Sequence, residues 1–459
     1  MKNIFFYTLL LVILNSILIV NQTLGINVIL FTIPLLIFLF NYLKLNKLIK
    51  NKLGLLFFIP IIILSSTYFI YDNVFNEVNI VIIPILYILM FIFTTSSVDK
   101  LGDLITKVMN TIFRPFDYIG EVLKGSRKYF DSKIKLSKDN KKKIKSILIS
   151  IPVIILVIVL LSSADQMFNN LFSKIFELIK DISLSNIIYR LIIMLILFVY
   201  LNATLMVVLN KLGVKDPNKT KEIDSYTMKV LLTALNIIYL VFDFIQIKSL
   251  FLHNVTEGIK YADYARSGFF QLMLISIINI VIILLYRRSK ENKYNKLMSL
   301  IMVLLTLVII ASSFYRMVLY SSAYGYTVLR LGVYVTLITE IILLIPTVIY
   351  IFRPKLNILS YYVAILTIVY TAINLFSVDV VITDNNIKRY REKYDIDLDY
   401  LMNDHSDNIK QLIELKDELK EEDLKLDLEF YLEDFTAYDD DYNFLEYNIS
   451  KTRAEKILK

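Results

Sequence analysis

Long apolar runs dominate this chain and decide what it can fold into. Of its 459 residues, 56% are hydrophobic, which exceeds the usual apolar share of a soluble domain. At least ten runs approach the roughly 20 residues that a helix needs to cross a bilayer. Because backbone groups in lipid must be hydrogen-bonded within their own segment, these runs predict helices. The predicted fold class is all-α: a polytopic helical membrane protein with about eleven transmembrane helices and a small α-helical C-terminal extracytoplasmic tail domain.

Eleven segments carry the apolar runs. Their predicted bounds are Ile4–Val20, Ile26–Leu43, Leu53–Tyr71, Val78–Ser97, Ile147–Ser163, Ile187–Leu209, Lys229–Phe251, Phe269–Tyr286, Leu297–Leu319, Val328–Phe352 and Ile358–Phe376. No small-residue cleavage pattern follows the first segment, so we predict a retained helix rather than a cleaved signal peptide.

The loops between these segments alternate in charge. The loops 44–52, 98–145, 211–225 and 287–296 are rich in lysine and arginine, whereas the loop 72–77 is acidic. Basic loops of membrane proteins stay in the cytoplasm. The alternation therefore predicts a multi-pass protein of the cell membrane, with a cytoplasmic N-terminus and an extracytoplasmic C-terminus.

Four regions follow from the spans and from the distribution of charge. They are 1–97, an N-terminal four-helix membrane region; 98–146, a cytoplasmic basic loop with an amphipathic interfacial helix; 147–376, a seven-helix membrane core; and 377–459, an acidic helical extracytoplasmic tail. The tail holds 12 Lys+Arg against 23 Asp+Glu, and the rest of the chain holds 38 against 19. The richness in lysine, asparagine and isoleucine suggests an AT-rich bacterial genome.

The basic loop predicts contact with the membrane surface. Apolar residues recur at helical spacing from Leu101 to Phe116, which indicates an amphipathic helix. A cationic segment follows, and its candidate lipid-binding residues are Lys128, Lys141, Lys142 and Lys143. We expect the bilayer, and anionic lipids at the cytoplasmic face, to be partners. Nucleic acid is not expected, because the basic patch lies between membrane spans.

Composition excludes several kinds of site. The chain has no cysteine and only two histidines, His253 and His405, which rules out thiolate chemistry and a multi-histidine metal site. Carboxylates alone are compatible with Mg²⁺ or Ca²⁺, but no metal-binding motif is found. We therefore expect no cofactor and no metal, and no motif identifies a catalytic residue.

Polar residues recur at helical spacing along two of the predicted spans. On the seventh span, Asn236, Tyr239, Asp243 and Gln246 are spaced to share one face, and the ninth carries a second stripe that begins at Ser313. The candidate ligand or charge-cluster residues are Asp243, Gln246, Asp263, Arg266, Arg316, Tyr320, Tyr324, Arg330 and Glu340.

Two interpretations of these residues compete. In the first, Asp243 and Glu340 pair with Arg316 or Arg330 to neutralise buried charge, and the tyrosines form an interfacial belt. In the second, the same groups line an outward-facing pocket for a polar or anionic ligand. The predicted spans place Asp243 and Arg316 at similar depth, so we expect these two side chains to pair.

Several stretches of the second half carry a family resemblance. They are Leu160–Phe168, Phe242–Gln246, Tyr261–Phe270, Arg316–Arg330, Asn386 with Arg389, Asp399–Leu401 and Asn448–Ala454. Taken in order over residues 150–459, these stretches resemble a bacterial integral membrane family, the domain of unknown function 4173, and the related 4153. The resemblance implies a polytopic membrane protein and brings no activity with it.

Three classes of function are compatible with this sequence. The favoured one is a sensor, signalling or envelope-assembly component with an outward-facing polar cluster and an extracytoplasmic protein or envelope partner. The first alternative is a transporter or permease of a small polar or anionic solute, which would need broken helices or an internal repeat. The second is an enzyme that acts on a lipid-linked substrate at the outer leaflet.

Overall fold

The computed structural model describes residues 4–98, 100–133, 184–209, 223–248, 268–290, 292–403, 405–437 and 443–459. In these ranges the chain forms α-helices and short 3₁₀ turns, with an isolated bridge between Ile223 and Ser289 and no strand. The predicted all-α class is therefore confirmed for the described chain.

Seven helices form the first part. They are α1 (Ile4–Leu18), α2 (Ile26–Leu45), α3 (Phe58–Ile70), α4 (Val74–Thr95), α5 (Leu101–Phe113), α6 (Ile119–Lys133) and α7 (Leu184–Leu209). Short 3₁₀ turns at Lys52–Phe57 and Arg114–Tyr118 lead into α3 and α6.

Ten more helices follow in the described chain. They are α8 (Ser225–Gln246), α9 (Phe269–Tyr286), α10 (Lys293–Tyr324), α11 (Val328–Phe352), α12 (Ile358–Ile373), α13 (Val378–Lys393), α14 (Leu398–Leu401), α15 (Ile409–Glu418), α16 (Glu422–Ala437) and α17 (Ile449–Leu458). Polar side chains begin the core helices: Asp224, Asn292, Thr327 and Ser377 each accept a hydrogen bond from a backbone amide of the first turn.

Eight helices of the described chain are long and apolar enough to cross a membrane, or nine if α12 and α13 form one span bent by 63°. Eight of the predicted spans correspond to these eight helices, which confirms a multi-pass membrane protein. The first predicted span is a shorter helix of 15 residues, and Ile147–Ser163 lies outside the described residues. The count of eleven therefore stays a prediction.

The chain divides into two compact units. The first comprises Met1–Thr23, Ile33–Ile49 and Lys107–Gly213, and the second comprises Leu24–Thr32, Lys50–Thr106 and Val214–Lys459. In the first unit α1 packs on α7, where the Asn202 amide donates to the Thr8 hydroxyl at 2.9 Å.

The second unit contains two apolar cores. One lies among α8, α9, α10 and α11 and includes Leu232, Ile283 and Met302, which are fully buried. The other lies among the C-terminal helices and includes Ile409 and Leu412. Both cores belong to the second unit, and the four predicted regions stay predictions.

The helix α5 presents the apolar stripe that its sequence predicts. Leu101, Ile105, Met109 and Phe113 follow one another at intervals of four residues, and all four side chains are exposed. A row of exposed apolar side chains on one helix face is the pattern of a helix that lies in a membrane interface.

Candidate functional site

The polar stripe of α8 faces the protein and its apolar residues face outward. Asn236, Tyr239, Asp243 and Gln246 are all buried, whereas neighbours such as Phe244 are exposed. This arrangement is the reverse of a soluble amphipathic helix, and it brings polar groups together inside a membrane bundle.

A layer of hydrogen bonds connects α8, α9 and α10 at one depth. The Tyr239 hydroxyl donates to Asn279 Oδ1 at 2.8 Å, and Asn279 Nδ2 donates to Thr306 Oγ1 at 3.0 Å. Thr306 in turn donates to the carbonyl of Met302 at 2.7 Å. Our sequence reasoning missed Asn279 and Thr306. The signal was available, because Ser276 and Asn279 are spaced three residues apart on a span whose other residues, apart from Gln271 and the terminal Tyr286, are apolar.

The carboxyl group of Glu340 on α11 contacts α9 about 5 Å above this layer. The side chain is 2% exposed, and its Oε2 lies 2.5 Å from the hydroxyl of Ser276 on α9. Its Oε1 has no hydrogen-bond partner. Within the described residues Glu340 makes no ion pair with Arg316 or Arg330, so the expected neutralisation of its charge by an arginine is not found.

The expected pair of Asp243 and Arg316 is corrected by the structure. Asp243 is 4% exposed and neither carboxyl oxygen has a hydrogen-bond partner, and no ion pair between it and Arg316 is found in the described residues. Arg316 instead donates from Nη2 to Gln246 Oε1 at 3.0 Å. Gln246 lies three residues beyond Asp243, on the same face of α8.

The reason is a difference in depth. Tyr239 and Thr306 both contact Asn279, so they mark one level in the bundle. At about 1.5 Å per residue, Asp243 lies about 6 Å above that level and Arg316 about 15 Å above it. Gln246 lies about 10 Å above that level, between Asp243 and Arg316, so the arginine side chain reaches Gln246 before it reaches Asp243.

Arg330, Tyr320 and Tyr324 form a group at the end of α10. Arg330 donates from Nη1 to the carbonyls of Tyr324 at 2.9 Å and Gly325 at 2.6 Å. Its guanidinium lies 4.3 Å from the centre of the Tyr320 ring, and the two tyrosine rings are 5.2 Å apart. A cation on the last carbonyls of a helix is a stabilising cap, which favours a structural role for this group.

The C-terminal region forms hydrogen bonds with the same end of α10. Asn386 accepts from the amide of Tyr326 and donates to its carbonyl, both at 2.8 Å. Arg389 donates from Nη2 to the carbonyl of Ala323 at 2.7 Å. Asn386 and Arg389 belong to the stretches that carry the family resemblance, and their contacts give those stretches a physical role.

A second set of hydrogen bonds joins the C-terminal region to the turn between α3 and α4. Asn448 donates to the carbonyls of Tyr68 at 2.8 Å and Tyr71 at 2.9 Å. Asp407 accepts from the amide of Asp72 at 2.8 Å and from the side chain of Asn73 at 3.0 Å. Burial raises the pKa of Asp407, although these hydrogen bonds act in the opposite direction.

The same region contains a histidine–carboxylate contact. His405 Nδ1 lies 3.1 Å from Asp379 Oδ2, a distance typical of an ion pair, although the hydrogen-bond angles are not met. Burial lowers the pKa of His405, but the contact with Asp379 and the negative charges of Asp72 and Glu77 outweigh it, and the net pKa is raised.

An apolar cavity of about 640 Å³ also lies in the second unit. It opens between α9, α11, α12 and α13, and its wall includes Met273, Leu331, Val335, Ile373 and Val381. The wall is almost entirely apolar, so it offers none of the convergent polar groups that orient a polar ligand.

Some candidate residues lie outside the described residues. They are Asp263, Arg266, Lys141, Lys142 and Lys143. The remaining lipid-binding candidate, Lys128, is exposed on α6. The proposal that these lysines bind anionic lipid therefore stays a prediction.

Comparison with known proteins identifies a family. Residues 58–415 match the domain of unknown function DUF4153, which is the second of the two related families that the sequence resembles; membership of the first stays a prediction. No curated protein and no solved structure matches the chain. The match extends the likeness from the second half into α3 and α4, and because it covers more than half of the chain, this multi-pass membrane protein belongs to the DUF4153 family.

Proposed function

We propose that this protein is a sensor, signalling or envelope-assembly component, in which the C-terminal helices sense the positions of the membrane helices. The proposal rests on the hydrogen bonds of Arg389 and Asn386 with the end of α10 and the turn after it. These side chains bind backbone groups of α10 and of the turn after it, so they follow the helix itself rather than one of its side chains.

The helix α10 connects the polar stripe of α8 with the C-terminal helices. It carries Arg316, which is bonded to Gln246, and two turns later it ends at the carbonyls that Arg389 and Arg330 cap. A displacement of α10 along its axis would therefore change contacts at both places. Transmission of a displacement along α10 needs a structural element with two stable arrangements. Hydrogen exchange can test for such an element.

The proposed orientation places these contacts outside the cell. The alternation of basic and acidic loops supports eleven spans, a cytoplasmic N-terminus and an extracytoplasmic C-terminal region. With 23 Asp+Glu against 12 Lys+Arg after residue 376, that region favours a partner with a cationic surface, such as an envelope protein.

Hydrogen exchange of the full-length protein in lipid nanodiscs tests the proposal. Gln246→Ala removes one acceptor of Arg316, and we expect faster exchange in the C-terminal helices as well as near the substitution. The matched control is Ile245→Ala, on the exposed face of α8, which should leave the C-terminal helices unchanged. If Gln246→Ala changes exchange only in α8 and α10, the C-terminal region does not follow the membrane helices and the proposal fails.

A transporter is the second candidate. It is favoured by the layer of buried polar groups and by two buried carboxyl groups, Asp243 and Glu340, that make no ion pair within the described residues. Intramembrane carboxyl groups often mark ion pathways. Uptake of small polar or anionic solutes into proteoliposomes, with Glu340→Gln as the comparison, distinguishes this candidate from a sensor.

A further inference from the structure

The hydroxyl of Ser276 lies between two oxygen atoms. It is 2.5 Å from Glu340 Oε2 and 2.7 Å from the carbonyl oxygen of Met273. Both distances are those of O–H···O hydrogen bonds. Ser276 is fully buried, so water does not provide another explanation for either contact.

Counting hydrogen atoms assigns the donors. A serine hydroxyl has one hydrogen and two lone pairs, so it donates fully to one acceptor and accepts from others. The carbonyl of Met273 can only accept, so when it takes the single hydrogen of Ser276, none is left for Glu340. The contact with Glu340 then needs a hydrogen from the glutamic acid itself, and an ionised carboxylate has none to donate.

The surroundings of Glu340 agree with a neutral acid. The described parts of α9 and α12, which pack against α11, carry tyrosines as their only ionisable side chains. On α10 the nearest charge along the helix is Arg316, which donates to Gln246. The charged residues of α13 lie beyond the 63° bend that separates α13 from α12. Arg330, on α11 itself, caps the end of α10. An ionised carboxylate in such a place is costly, because no opposite charge among the described residues offsets its desolvation.

Asp243 lies at a similar level. Ser276 is three residues above Asn279 and Asp243 is four residues above Tyr239, so both lie about 5 to 6 Å above the shared layer. Asp243 is buried and neither of its oxygens has a hydrogen-bond partner in the described chain. The bundle of α8 to α11 thus holds two carboxyl groups at one depth.

We propose that Glu340 is a proton-binding site inside the membrane, which holds a proton in this structure and releases it when the bundle rearranges, and that Asp243 is a second such site at the same depth. The ligand is the proton. The inference does not depend on the proposed sensor role, because a transporter would use the same site. The step requires only proton transfer between carboxyl group and water.

Labelling with dicyclohexylcarbodiimide tests the inference on the full-length protein in nanodiscs. This apolar reagent adds to a protonated carboxylic acid within a membrane, and peptide mass spectrometry locates the adduct. We expect the adduct on Glu340 and Asp243, with loss of labelling as the pH is raised. Glu422, which is exposed on α16, is the internal control and should not be labelled.

Glu340→Gln should lose the adduct at residue 340 and keep the one at Asp243. Should this variant not fold, the infrared carbonyl band of a protonated carboxylic acid in the unmodified protein provides a second measurement. Absence of label and of that band at every pH would overturn the inference. Labelling that never falls with pH would also overturn it, because the acid would then never release its proton. Protection by Na⁺ or K⁺ at constant pH would overturn it too, since the site would then bind an alkali cation.

Discussion

The side-chain amide of Asn386 pairs with both backbone polar groups of Tyr326. Its Oδ1 accepts from the amide and its Nδ2 donates to the carbonyl, each at 2.8 Å. This double contact is possible because the preceding residue is Gly325, whose φ of 87° is unfavourable for any residue with a Cβ. The end of α10, the glycine and the asparagine therefore depend on one another.

Replacing Gly325 should break this arrangement. In Gly325→Ala the new Cβ would lie 2.5 Å from Asn386 Oδ1, and the backbone would be strained by about 1–3 kcal/mol. We expect a lower midpoint of thermal unfolding in detergent and faster hydrogen exchange in α13.

Gly332→Ala is the matched control for that substitution. Gly332 lies within α11, and a Cβ added there would have no neighbouring atom within 4 Å, so alanine should stabilise the helix by about 0.5–1 kcal/mol. Equal effects of the two substitutions would show that the contact with Asn386 does not stabilise the protein.

The depth difference between Asp243 and Arg316 leads to a second prediction. Because the two side chains do not pair, Asp243→Asn and Arg316→Gln should change stability independently. Their effects should add within about 0.5 kcal/mol in the double variant, as measured by unfolding in a detergent series. Recovery of stability in the double variant would mean that the two residues are coupled after all.

This pair also shows how far the sequence alone can predict the site. The spacing of Asn236, Tyr239, Asp243 and Gln246 correctly indicates one buried face, because spacing along a helix determines angle and rise. The axial offset between α8 and α10 is a tertiary quantity, determined by contacts such as Tyr239 with Asn279. No local pattern contains it, and the pairing of Asp243 with Arg316 was wrong for that reason.

The hydrogen bonds between the C-terminal region and the membrane helices could not be predicted from local sequence patterns, for a similar reason. Asn448 bonds to Tyr68, which is 380 residues away in the chain. Asn448 and Asn386 were noticed only as part of a family resemblance. The spacing of Ile409, Leu412 and Leu415 is that of one helix face, and all three side chains are buried on α15.

The contact of His405 with Asp379 predicts a dependence on pH. The pKa of His405 is raised above its ordinary value of 6.5, so its contribution to stability is complete below that pH and is lost as the pH rises through the folded pKa. We expect the C-terminal helices to exchange hydrogen faster above this window, beyond the intrinsic effect of pH.

His405→Gln should remove that dependence on pH. His253→Gln is the control, because His253 is the only other histidine in the chain. The raised pKa of Asp407 gives a loss of the same sign that starts above its ordinary value of 3.8, and this separate loss should persist in His405→Gln. An identical pH profile in the two variants would contradict a role for His405.

The segment after α4 should bind anionic membranes. It combines the exposed apolar stripe of α5 with the cationic residues that follow, including Lys128. A peptide of residues 101–145 should bind vesicles that contain anionic lipid and should be released by salt, because salt screens charges beyond about 10 Å. Equal binding to neutral vesicles would leave the apolar stripe as the sole cause.

The topology yields the last prediction. The basic loops lie after even-numbered spans, so the loop that contains Lys141 should be cytoplasmic and the C-terminus at Lys459 should be outside. Fusions of a reporter that is active only in the periplasm or on the cell exterior should be inactive at Lys141 and active at Lys459. The result tests the count of spans, because an odd number of spans between two points places them on opposite sides of the membrane. If both fusions report the cytoplasm, an even number of spans lies between residues 141 and 459 instead of the predicted seven, and the contact of Arg389 with α10 would then lie on the cytoplasmic side.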